Sequence, residues 1–105
     1  MTEHTSETIW IGKDAYMYLD REERRQRGCR TLTAEAENAM WERITTRRGT
    51  DAKDGMIRVN DDSFGGGDGT YNGKWWSWNI STVKQMLDDA GFTYQTGERI
   101  TYTYL

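Results

Sequence analysis

Proline is absent from this chain of 105 residues, and cysteine and histidine occur once each. Without proline there are no PxxP ligand motifs and no proline-rich linkers. A single cysteine, Cys29, excludes an internal disulfide framework and a cysteine-rich zinc site, and it suits a reducing compartment. No run of apolar residues approaches the roughly 20 that a membrane-spanning helix needs. The start, Met1 to Glu7, is polar and acidic. It lacks the basic end and apolar stretch of a secretory leader, so a cytoplasmic protein is expected. An excess of positive charge is missing as well: 17 acidic against 14 basic side chains give a net charge of -3. A dedicated nucleic-acid binder usually carries a basic excess.

What the chain does have is aromatic mass. Only 35% of its residues are hydrophobic and 30% are charged, but five Trp, six Tyr and two Phe bury a large area per residue. That is enough for one modest core and one domain. Charge is uneven. Residues 1–50 balance nine acidic against nine basic groups, whereas residues 51–105 hold eight against five.

Patterning along the chain predicts α+β. Residues 1–6 read as a flexible start, followed by a single domain over 7–105. Thr8 to Ile11 is a short β-rich run. Asp14 can cap a helix on which Ala15, Tyr18 and Leu19 share a stripe, and Gly28 stops it. The alternation of Tyr16 and Tyr18 with Ala15, Met17 and Leu19 also fits a strand there. Thr31 or Thr33 caps a helix over roughly 33–47, with Ala36, Met40, Trp41 and Ile44 in one stripe. Glu35 and Glu37 lie at its start and Arg43, Arg47 and Arg48 at its end, the signs that the helix dipole favours.

Met56 to Asn60 reads as a strand with Ile57 and Val59 inward, and Asp61 to Gly69 as a loop. Tyr71 to Ile80 reads as one strand, with Trp76, Trp78 and Ile80 on one face and Tyr71, Gly73, Trp75 and Ser77 on the other. Ser81 is the expected cap of a helix bearing Val83, Met86, Leu87 and Ala90, ended by Gly91. Thr96-Gly97-Glu98 reads as a hairpin turn between 92–95 and 99–105, on which Ile100, Tyr102 and Tyr104 share a face. The expected architecture is an antiparallel sheet of about four to five strands with two or three helices mainly on one face.

Chemical motifs are few. The segment Gly65 to Lys74 is rich in glycine, but Asp68 stands where a phosphate loop needs glycine, and a strand follows instead of a helix. Asp61, Asp62 and Asp68, with Asp51 and Asp54 nearby, lack calcium-loop spacing and a closing Glu. They read as a solvated acidic loop, or as one that meets a basic partner surface. A cysteine nucleophile requires an oriented base, and the only histidine, His4, lies in the segment expected to fray. No enzyme, cofactor or metal is therefore expected.

Arg21, Arg24, Arg25, Arg27 and Arg30 form a cluster interleaved with Asp20, Glu22 and Glu23. It is either a solvated helix laced with ion pairs or a phosphate-contacting surface. In Lys74-Trp75-Trp76-Ser77-Trp78, Trp75 shares its strand face with Tyr71. If helices cover one sheet face only, these two aromatics beside Lys74 are exposed anchors for a partner.

The order of Ser81 to Leu105, helix then hairpin, resembles the recognition helix and wing of a winged-helix DNA-binding domain. It departs from that pattern in setting Lys84 against Asp88 and Asp89, and in having strands before the helix. The expected function is that of a small non-enzymatic protein acting by protein–protein contact. Tyr71, Lys74, Trp75, Asp61, Asp62 and Asp68 would form its contact surface. Motif-free domains of this size are the kind that phages and other mobile elements encode, and an inhibitor or modulator of a host nucleic-acid-handling or defence complex fits that class. The alternative is nucleic-acid binding through Arg21 to Arg30 and exposed aromatics. A small sheet with an aromatic edge can also pair with a second copy as a homodimer.

Overall fold

The computed structural model describes residues 2–61, 63–71 and 74–104, excluding the side chains of Thr2, His4, 65–71, 74–77, Tyr102 and Tyr104. The order is β1 (Thr2–Ser6), β2 (Ile9–Gly12), α1 (Lys13–Gln26), α2 (Ala34–Arg47), a single 3₁₀ turn (Gly49–Asp51), β3 (Ala52–Lys53), β4 (Met56–Val59), β5 (Gly65–Tyr71), β6 (Lys74–Ser77), α3 (Ile80–Ala90), β7 (Gln95–Thr96) and β8 (Ile100–Tyr104). The fold is α+β, as the patterning predicts. The central sheet is antiparallel in the order β3-β4-β2-β7, and two further antiparallel pairs stand apart from it, β1 with β8 and β5 with β6.

Strand alternation sorts the central sheet into two faces. Ile9 pairs with Val59 and Ile11 with Ile57, and all four are buried. They form one core cluster with Ala15 and Leu19 of α1, Ile80, Val83 and Leu87 of α3, and Phe64 and Trp78. Helix α1 runs directly out of β2 with no side-chain cap; Asp14, the expected cap, lies inside its first turn. The helix closes through Schellman bonds, from the Cys29 N–H to the Arg24 carbonyl (2.8 Å) and from the Gly28 N–H to the Arg25 carbonyl (3.1 Å). Helix α2 is capped by Thr33, whose hydroxyl accepts from the Ala36 N–H (3.2 Å). Its stripe is only half-buried: Trp41 packs on Tyr16, which also meets Phe64.

Four further expectations are corrected. Thr2–Ser6 is a strand rather than a frayed end. It has no apolar face to betray it, and its partner, β8, comes from the far end of the chain. The glycine-rich stretch is not all loop, because Gly65–Tyr71 pairs with Lys74–Ser77; the run read as one strand over 71–80 thus holds the last residue of β5, all of β6 and the start of α3. Asn79, not Ser81, caps α3, accepting from the Thr82 N–H at 2.9 Å. Finally, 92–95 and 99–105 do not form a hairpin. The Gly97 N–H donates to the Thr8 carbonyl (2.8 Å), so β7 adds to β2 while β8 leaves for β1. The wing that the winged-helix resemblance requires is therefore not formed.

One turn is written in the sequence although the strand before it is only two residues long. Asp54 and Gly55, both at positive φ (53° and 74°), link β3 to β4, the conformation that makes Asp-Gly a preferred two-residue hairpin loop.

Candidate binding site

The residues singled out from the sequence have different fates. Asp61 is half-buried and serves the fold: its carboxylate accepts from the Ile80 N–H at 2.8 Å, at the start of α3, where the helix dipole favours negative charge. Its own N–H donates to the Ser6 hydroxyl (3.2 Å). Asp62 lies outside the described residues. Asp68, Tyr71, Lys74 and Trp75 sit on the β5–β6 hairpin, with Tyr71 directly opposite Lys74 and Thr70 opposite Trp75. Asp61 is at the α3 junction, and the register sets Tyr71 and Trp75 at alternating positions of two strands rather than on the one shared face expected for them. Their side chains lie outside the described residues.

The arginine cluster is mostly committed to intramolecular pairs. Arg21 makes a two-pronged contact with Glu37 of α2 (2.8 and 2.7 Å). Glu37 is itself buried, so this fork ties α1 to α2. The hydrogen bond to Glu37 raises the Arg21 pKa, and the one to Asp20 raises that of Arg24, fixing both as cations. Arg24 bonds Asp20 at 2.8 Å, and Arg25 pairs with Glu22. Arg27 and Arg30 are exposed and make no ion pair among the described residues. Three of the five arginines thus spend their charge within the fold. Cys29 is exposed beside them.

A different site emerges on the face of the central sheet opposite the core. Trp10 of β2 stands there, paired with Arg58 of β4 on one side and Gln95 of β7 on the other. The Lys53 ammonium lies 4.8 Å from the indole centre and the Arg58 guanidinium 5.7 Å from it, both in cation–π range. Trp10 keeps only 9% of its surface exposed. Arg58 is held by Asp51, and the Arg48 guanidinium donates to the Arg58 carbonyl (2.8 Å). The 96–98 segment forms the opposite wall, with the Thr8 hydroxyl donating to the Glu98 carbonyl. Together Trp10, Thr50, Lys53, Arg58, Thr96, Gly97 and Glu98 line a shallow cleft of about 520 Å³.

The close wall requires glycine at 97. A Cβ there would overlap the Thr8 hydroxyl and come within 3.3 Å of the Thr8 carbonyl oxygen and of Trp10 Nε1. Lys53 is exposed and makes no ion pair among the described residues, so its charge is available to an incoming group. The cleft offers an indole, an ammonium with no ion-pair partner among the described residues, a fixed guanidinium and two hydroxyls. Such a set can grip a carboxylate attached to an apolar or aromatic body. Arg48, Lys53 and Arg58 are offset nearby by Asp51, Asp54 and Glu98, which leaves no net positive field for a phosphate backbone.

Sequence reasoning missed this site. Its residues come from four separate segments, and Trp10 reads as one more member of an apolar run. The available signal was the alternation of Trp10 against Ile9 and Ile11, together with that of Arg58 against Ile57 and Val59. Among the described residues no cluster of three metal-ligating side chains occurs. No family model, curated protein or solved structure matches the chain.

Proposed function

We propose that this is a non-enzymatic binding protein that acts by contact with another protein, and that the cleft around Trp10, Lys53 and Arg58 is the contact. One observation carries the reading: an indole contacted by two cations, one of them without an ion-pair partner among the described residues, on the sheet face opposite the core. Aromatic and arginine side chains in partly desolvated pockets are the residues that anchor protein interfaces. The chemistry fits a lone carboxylate borne by an apolar or aromatic stretch of the partner. Occlusion of a working surface on that partner, as an inhibitor or modulator would act, is the mode of action this reading implies. It needs no group beyond those present. The other candidates, Tyr71, Lys74 and Trp75, sit on the β5–β6 hairpin rather than on the central sheet.

The test is a tagged pull-down from source lysate with and without nuclease, using the wild-type chain and Lys53→Glu side by side. The expected result is a defined protein that survives nuclease and is lost from the Lys53→Glu eluate. A partner retained by Lys53→Glu, or recovery of nucleic acid alone, overturns the reading.

A further inference from the structure

The β1–β8 ribbon is built from two five-residue strands and joins no other sheet among the described residues. An isolated two-stranded ribbon is marginal in water, and three or more strands are needed for independent stability. The two outer edges of the ribbon differ. β1 carries Glu3, which would face a like charge in any self-pairing near it. β8, Ile100-Thr101-Tyr102-Thr103-Tyr104, has no charge, no proline and no glycine, and every residue is β-branched or aromatic. It lacks the charges, the proline and the bulge by which edge strands often resist pairing.

We infer that β8 is a homodimerisation edge, at which a second copy of this chain pairs antiparallel to make a four-stranded sheet in the order β1-β8-β8-β1. A second copy is the occupant because an uncharged strand paired antiparallel about a two-fold axis is its own complement. The axis passes at Tyr102. It sets Thr101 of one copy opposite Thr103 of the other, at the cross-strand distance where like charges repel and opposite charges attract. Within one copy, Thr101 faces Thr5 and Thr103 faces Glu3, and both threonines are exposed.

That register supplies its own test. Two double variants share Thr103→Lys, which meets Glu3 favourably inside each copy. One adds Thr101→Lys and the other Thr101→Glu. Sedimentation equilibrium over about 1 to 100 µM reads the result. The wild type is expected to be dimeric in that range, the Lys/Lys variant monomeric with its dissociation constant raised at least about tenfold, and the Glu/Lys variant dimeric again. Circular dichroism melts check that both variants fold. A wild type that stays monomeric throughout overturns the inference. So does a Lys/Lys variant that still dimerises, or a Glu/Lys variant that fails to.

Discussion

The two faces of the central sheet are made by the same strands and do opposite work. On one face Ile9, Ile11 and Ile57 are fully buried and Val59 is 1% exposed. On the other, one residue along, stand Trp10, Lys53 and Arg58, with polar walls and a cleft. Alternation by single residues in β2 and β4 is enough to separate what holds the fold from what meets a partner. The difference predicts that substitutions on the core face lower stability and leave any residual binding chemistry intact, whereas those on the cleft face do the reverse.

Ile57→Ala is the largest expected break. Ile57 pairs with Ile11 and lies at the centre of the cluster between the sheet and helices α1 and α3. Deleting its side chain removes transfer free energy and leaves a cavity, a cost of about 2–5 kcal/mol, measured by urea unfolding. A loss below about 1 kcal/mol would mean that the two faces are not divided as described.

Gly97→Ala comes next and joins the faces through the cleft wall. The added methyl overlaps the Thr8 hydroxyl, so the 96–98 segment must shift away from β2. About 1–3 kcal/mol is expected for such overpacking. The indole environment of Trp10 should change with it, but Trp10 fluorescence must be isolated by replacing the other tryptophans, or read by NMR of its indole N–H.

Lys53→Glu sharpens the contrast from the other side. The exposed cation–π contact over Trp10 is worth about 0.5–1 kcal/mol, so the melting curve should hardly move while partner capture is lost. A large stability loss with unchanged capture would assign Lys53 to the fold.

The core face was legible in the sequence, and the cleft face was not. The stripes Ile57/Val59 and Val83/Leu87 appear as local periodicities, because burial of an apolar stripe is what sets helix and strand patterns. The same holds for the cap at Thr33 and the C-terminal ends of α1 and α2. What failed was non-local. Thr2–Ser6 becomes a strand only because Ile100–Tyr104 returns to meet it. Asp61 reads as a loop carboxylate until α3 begins beside it. The arginines of α1 read either as a helix laced with its own ion pairs or as a phosphate-contacting surface; Arg24 and Arg25 do pair within the helix, but the fork from Arg21 to Glu37 depends on the next helix. Trp10, Lys53 and Arg58 are far apart in sequence, and no local pattern marks residues that meet only across three strands.

The smallest effect concerns Glu7, which belongs to neither face. It lies between β1 and β2 and reaches Lys84 of α3 at 2.9 Å and Arg99 at 3.5 Å. The hydrogen bond from Lys84, with its charge, holds the Glu7 carboxyl below the usual carboxylate range. A folded-state pKa lower than the unfolded value of about 4.3 stabilises the fold above that value. The contribution is lost as pH falls through the lower folded value. Glu7→Gln keeps the shape and removes the charge, so wild type should be slightly the more stable at a pH of about 7, and the gap should close at an acid pH below the folded-state value. High salt should narrow the gap as well, because the pair is solvent-exposed. Urea midpoints at both pH values measure it. A gap that stays constant with pH would place the Glu7 effect in packing, and the β1–β2 junction would then count with the core face rather than with the open one.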